Sequence, residues 1–222
     1  MTNIKVGLAG IGKLGSAMIK LWEKTNTPIG IYHPSRERIT TFIDSHPNCF
    51  PIEIKECDYL FLAIPANCIY PFMTEILSYQ EIPYDTIFIN MATSLNTDEL
   101  KKAYPDLNIQ GLKFMGHAAD LRTNGNGLFL SEEEFTKDFM KFFNPIGKIE
   151  KGSEGMVTHV NKLATYQAVK ASIELEKAFK EQKLPDRYKE RALSSLFPEV
   201  VKAYSKGQLG HFAEDILKEL KD

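Results

Sequence analysis

Cysteine is scarce: Cys49, Cys57 and Cys68 are the three in a chain of 222 residues. An odd number without a paired metal-ligand spacing excludes a disulfide framework and a zinc site, and predicts reduced structural thiols. His33, His46 and His211 show no ligand constellation either, so no metal is expected. Excess charge is missing too, because 27 Lys and Arg face 29 Asp and Glu for a net charge of -2. Such a balance offers no field to draw in nucleic acid or an anionic membrane surface, and neither partner is expected. Long apolar runs are absent as well. The most apolar stretch, "YLFLAIPANCIYPF", is interrupted by Pro65, Asn67 and Pro71, whereas a bilayer-spanning helix needs about 20 consecutive apolar residues. No positively charged start leads into an apolar signal segment, and a cytoplasmic location is predicted. Repeats and low-complexity tracts are lacking.

What is present is hydrophobic content of 43%, enough to bury a sizeable core. Short β-rich runs, "IKVGLAG", "PIGIYH", "YLFLAI", "TIFINMA" and "IQGLKFMG", read as strands. Between them "GSAMIKLWEKT", "RERITTFIDSH", "PFMTEILSYQ" and "NTDELKKAY" read as helices. The alternation predicts an α/β fold with a Rossmann-type, doubly wound parallel sheet. The segment "LRTNGNG" reads as turn, and Ser131 with Glu134 stands at capping-box spacing, which predicts a helix opening in "SEEEFTKDFMKFF". Strand signals cease near Gly152. A boundary there separates a dinucleotide-binding domain, residues 1–151, from a smaller all-helical domain, residues 152–222.

The first helix of that second domain is predicted from about Met156 to Glu181. Val157, Val160, Ala164, Ala168, Ala171, Leu175 and Ala178 recur along it as a stripe of small residues, while Leu163, Tyr166, Val169 and Ile173 lie outside the stripe. A helix apolar on more than one side predicts a homodimer through the C-terminal helices; packing against the two later helices is the alternative.

Gly10, Gly12 and Gly15 fit G-x-G-x-x-G, directly after a predicted strand and before a predicted helix, the setting a dinucleotide fingerprint requires. The first glycine allows a tight turn, the second lets a pyrophosphate approach the backbone, and the third brings helix close to strand. Helix N-terminal amides then face the phosphates. At the end of the second strand, His33, Pro34 and Ser35 offer no acid for a ribose hydroxyl, and Arg36 and Arg38 follow at once. A hydroxyl beside a guanidinium suits a 2′-phosphate, so NADP is expected over NAD. The alternative is an ordinary solvated helix start.

"IKVGLAGIGKLGSAMI", "CDYLFLAIP" and "TIFINMATSLNTDELKKAY" together resemble the cofactor domain of pyrroline-5-carboxylate reductases and their NADP-dependent relatives, over about residues 4 to 115. The resemblance implies phosphate contacts from Ile11, Gly12, Lys13 and Leu14, and a 2′-phosphate site at Ser35 and Arg36. It also implies backbone near the nicotinamide ribose from Ala63, Ile64 and Pro65, with Met91 and Ala92 beside the nicotinamide. Glu154, a long helix and then "EQKLPDRYKERALSSLFPEVVKAY" resemble that family's helical dimerisation domain. The implied activity is hydride transfer from NADPH to an imine or small carbonyl substrate.

Departures from the family leave the substrate open. "LAIP" lacks the family's lysine before the proline, and "LKFMGHAADL" keeps Lys113 and Met115 but has Gly116 and His117 where the family has proline and asparagine. "HVNKLATYQ" stands in place of the serine/glycine-rich loop that binds the substrate carboxylate, and the glycine/threonine-rich substrate motif has no counterpart. A hydroxyacid or prephenate dehydrogenase-like enzyme and a non-catalytic NADP-binding paralogue are therefore alternatives. Reduction of a protonated C=N bond needs a well-placed hydride and little acid catalysis, whereas a ketone needs a donor for the developing alkoxide. His117, at a predicted strand end, is one candidate donor. Lys162 and Tyr166, which share a helix face with His159, are the others.

Overall fold

Residues 6–9 are all buried, as a central strand covered on both faces must be, and they form β1 (Val6–Ala9) of a computed structural model that describes residues 4–79 and 82–221. The side chain of Arg36 lies outside the described residues. After β1 come α1 (Lys13–Lys24), β2 (Ile29–Tyr32), α2 (Arg36–Ile43), β3 (Cys49–Pro51), β4 (Tyr59–Leu62), α3 (Ala66–Tyr79), β5 (Ile87–Asn90), α4 (Thr97–Ala103) and β6 (Asn108–Gly111). The six strands run parallel in the order β3-β2-β1-β4-β5-β6, a Rossmann sheet. Each face carries its own core. One gathers Trp22, Phe61, Phe129, Phe139 and Phe143, and the other Leu60, Ile69, Met73 and Phe88. Trp22 is wholly buried, and its indole N–H donates to Phe142 O at 3.2 Å, so the ring's polar edge is satisfied inside the core.

Three local expectations change. "IQGLKFMG" is two strands, because β6 ends at Gly111 and β7 (Lys113–Met115) belongs to a second sheet. The corner is Leu112, which donates its N–H to Asn90 O while its side chain turns into the core. The second sheet is β7-β8-β9, with β8 (Gly127–Ser131) antiparallel to β7 and parallel to β9 (Gly147–Lys151). Ser131 therefore caps no helix. It completes β8, its hydroxyl accepts from Glu133 N–H at 3.2 Å, and α6 (Lys137–Phe143) starts later under the cap of Thr136, which accepts from Phe139 N–H at 3.2 Å. Pairing with Lys151 of β9 claims Ser131 for the strand before a cap can form there. "LRTNGNG" is likewise half helix. α5 (Ala118–Asn124) runs through its first four residues, and the turn is Gly125 and Asn126, at φ 67° and 55°.

Beyond β9 all regular structure among the described residues is helical: α7 (Glu154–Glu181), α8 (Asp186–Arg191), a π-helical turn at Ala192–Leu196, α9 (Phe197–Ser205) and α10 (His211–Glu219). The chain forms two compact units, Met1–Lys162 and Leu163–Asp222. Strands end at Lys151, but the first turns of α7 still belong to the first unit, where Glu154 and Val157 are buried. In the second unit no described residue is fully buried, and Leu163, Tyr166, Leu196 and Phe212 are each more than half exposed. Cys49 and Cys57 are buried free thiols, pushed up to about 12 chiefly by desolvation; Cys68 is free and exposed. Among the described residues no helix is long and apolar enough to cross a membrane.

Candidate functional site

The chain leaves β1 through Gly10 at φ 108°, a conformation that side chains rarely adopt. A Cβ there would also stand 2.5 Å from Ala63 O. Gly12 is different: its backbone is extended, and among the described residues no atom beyond its own chain neighbours lies within 4 Å of the place a Cβ would take. At Gly15 a Cβ would overlap Gly10 O, so α1 lies directly on the turn. The three glycines thus provide a turn, an open approach and a close packing contact. α1 receives no side-chain cap and has no acid in its first turn, so its leading amides keep no partner within the helix and its positive end meets the open space beside Gly12.

The neighbouring loops gather at the same sheet edge. Ala63 N–H donates to Ala9 O at 2.8 Å, and Met91 N–H to Leu62 O at 3.4 Å. These bonds bring Gly10 to Gly15, Ala63 to Pro65, and Met91 with Ala92 side by side at the C-terminal ends of β1, β4 and β5. That edge is where the strand order reverses, the place open α/β sheets bind ligands. After β2, His33 Nδ1 accepts from Ser35 N–H at 2.9 Å, and Ser35 caps α2 by accepting from Arg38 N–H at 3.4 Å. Arg36 opens α2, with its side chain outside the described residues. A cavity of about 1150 Å³ lies here, walled in part by Tyr32, His33, Pro34 and Ile52 and also by Glu53 and Glu56. Those two acids stand about 20 residues after β2's end, and the sequence pattern there does not point to them. Both are engaged locally: Glu56 accepts from Glu53 N–H at 3.1 Å, and Glu53 pairs with Lys55 at 2.7 Å.

His117 is exposed and caps α5, its Nδ1 accepting from Ala119 N–H at 3.3 Å. A neutral ring so held carries its hydrogen on Nε2. Lys162 is exposed on α7 within the first unit. Its neighbour Asn161 donates to Phe114 O at 3.0 Å, which ties that turn of α7 to the strand leading into Gly116 and His117. Tyr166 belongs to the second unit and is 63% exposed. Within the first unit, the α7 residues that bond to the strands and loops are Glu154, Thr158 and Asn161, at i, i+4 and i+7, one residue row away from His159, Lys162 and Tyr166; Thr158 donates to Thr93 O at 2.9 Å. Sequence reading also missed a buried polar cluster of Asn90, Thr97, Lys113 and Glu154 beneath the loop after β5. A signal was available in the lysine inside "GLKFMG" and the asparagine ending "IFIN".

The site fits a dinucleotide on its own geometry, through the open cradle at Gly12 and the uncapped start of α1. By sequence, no protein-family model and no curated protein matches the chain. In three dimensions it matches pyrroline carboxylate reductase of Plasmodium falciparum with NADP bound, at 18% identity over 93% of this chain and 80% of that one, TM-score 0.59. It also matches a pyrroline-5-carboxylate reductase from Coxiella burnetii, at 13% identity over 98% and 90%, TM-score 0.66. A third match is an imine reductase from Myxococcus stipitatus in complex with NADP+, at 11% identity over 98% and 77%, TM-score 0.59; a variant of that enzyme has been solved with NAD+. At such identities what is shared is the architecture: the chain has the fold of the pyrroline-5-carboxylate and imine reductases, a Rossmann sheet followed by a largely helical C-terminal region.

Proposed function

We propose that the chain is an NADPH-dependent reductase delivering hydride to an imine or a small carbonyl compound. The observation that carries this reading is the glycine turn, open at Gly12 and seated on the N-terminus of α1 where the strand order reverses. When bound, the nicotinamide supplies the hydride. The chain's own residues bind and orient: amides from Ile11 to Leu14 take the pyrophosphate, Ser35 and Arg36 the 2′-phosphate, and Ala63 to Pro65 with Met91 and Ala92 flank the ribose and nicotinamide. As a cap Ser35 only accepts, so its hydroxyl keeps a hydrogen for the phosphate. The structural neighbours named for pyrroline carboxylate and imine reduction support a C=N substrate. One observation favours the carbonyl, hydroxyacid-type reading: exposed His117, with Nε2–H free of the cap, can donate a hydrogen bond to a developing alkoxide. The partner we propose is a second copy of the chain, joined through α7 to α10.

Titration of the unmodified chain with NADPH and NADH tests the cofactor reading. NADPH should bind tighter, and Ser35→Ala with Arg36→Ala should erase about ten- to hundredfold of that preference, the worth of one or two charge-assisted hydrogen bonds. Glu53 and Glu56 are the competing influence, since carboxylates suit the ribose hydroxyls of NAD. Equal affinities sink the NADP preference and leave the dinucleotide site standing; no binding of either sinks the site. Turnover screening with NADPH then separates an enzyme from a non-catalytic binder.

A further inference from the structure

Lys113 on β7 is 0% exposed, and its ammonium is fully engaged. Nζ donates to Ala92 O at 2.8 Å and Leu95 O at 2.9 Å, and lies 3.6 Å from Glu154 Oε2. Glu154, the first residue of α7, accepts from Thr97 N–H at 2.9 Å and from the Thr97 hydroxyl. Asn90 closes the ring: its Nδ2 donates to Leu95 O and to Thr97 Oγ1, each at 3.0 Å, and its Oδ1 accepts from Ala92 N–H at 3.1 Å. Room for the carboxylate exists because residue 111 is glycine, where a Cβ would overlap Glu154 Oε1. Both carbonyls on the ammonium belong to one loop, the one between β5 and α4.

An apolar side chain of similar volume would fill this space at less desolvation cost. Burial holds Lys113 down to about 8, against the opposing pull of Glu154 and Glu133. Unfolded, the lysine holds its proton to a higher pH, so the charged form in the folded chain lowers stability near neutrality, and that loss is relieved as pH rises from about 8 towards 10.5. A buried ion pair is thus weak evidence of stabilisation. Its effect here is to aim two carbonyls at one point and so fix the path of the loop.

We infer that Lys113 and Glu154 are positioning residues that hold the Met91–Asn96 loop in the shape against which the nicotinamide rests, an inference built on the reductase reading above. A neutral Lys113 keeps hydrogens for the carbonyls but turns a lone pair to Glu154, whose charge is then buried without a counter-ion. The charges acting on it are Glu154 of α7 and Glu133 after β8, and Glu133 is itself paired with Lys101 of α4.

Amide hydrogen exchange of the chain without cofactor is the test, on the parent, Lys113→Met, Glu154→Gln and the double variant. Exchange from Ala92 to Thr97 should rise about tenfold or more in each variant, from losing hydrogen bonds to a charged partner. Amides of β1 and α1 should be unchanged. The double variant leaves no unpaired charge, and should melt no lower than the parent while its loop stays open. The NADPH dissociation constant of the parent should rise as pH passes about 8, whereas that of Lys113→Met should be raised already near neutrality and flat through that range. Parent-like loop exchange in the double variant overturns the inference. If the parent binds no NADPH, the reductase reading fails, and the exchange result alone decides whether the pair holds the loop.

Discussion

Gly12 and Gly15 lie within one turn of chain and make opposite demands on a substituting side chain. At Gly12 the space is open and the backbone extended, so Gly12→Val should keep the fold, with stability within about 1 kcal/mol of the parent for a poorer cap. It should nonetheless lose NADPH, because a branched side chain fills the approach to the pyrophosphate. At Gly15 even a methyl overlaps Gly10 O, a backbone atom that cannot swing aside. Gly15→Ala should therefore destabilise by about 1–3 kcal/mol, as overpacking does. Urea unfolding and NADPH titration on both variants separate the two effects. Retained NADPH binding in a folded Gly12→Val protein contradicts this placement of the phosphates.

Among the elements, α5 offers a way to separate structure from chemistry, because His117 starts it with one ring nitrogen and leaves the other free. Asparagine is also a good cap, so His117→Asn should preserve α5 while removing the Nε2–H. If the substrate is a carbonyl and His117 its donor, kcat should fall about a hundredfold or more; for an imine that arrives protonated, kcat should hold. Lys162→Met and Tyr166→Phe in the same assay find the donor if a carbonyl is turned over and His117 proves dispensable. The parallel sheet was legible because β1 and β4 are buried along their whole length, which leaves unbroken apolar runs. The glycine turn was legible because its three roles sit at fixed spacing. β3 was not, since of its three residues only Cys49 is buried. Ser131 misled because capping is a local rule, whereas the strand that claims Ser131 is made by partners on either side. The Lys113 cluster draws on β5, α4, β7 and α7, and no window of sequence contains it.

For the whole molecule, the second unit is the part whose stability is not accounted for within one chain. A unit of this size is marginal even with a core of its own, and here no described residue is fully buried. Leu163, Tyr166, Val169 and Ile173 of α7 are each 46% exposed or more. A second copy packed along α7 would cover them, and Ala168, itself exposed in the single chain, lies on the small-residue stripe. Ala168→Asp should then yield monomers or aggregates and lose any reductase activity, because an aspartate there is desolvated without a partner. NADPH binding should survive, since the glycine turn lies in the first unit. Sedimentation of the unmodified protein is the direct check, and a monomer at micromolar concentration defeats the dimer. The three thiols bear on how such experiments are watched. Cys49 and Cys57 are buried and held protonated far above neutrality, so a maleimide offered to the folded chain finds a single address, Cys68, in the first turn of α3 just past Pro65. A fluorophore placed there stands beside the loop proposed to meet the nicotinamide ribose, and the chain accepts that reporter without the removal of any cysteine.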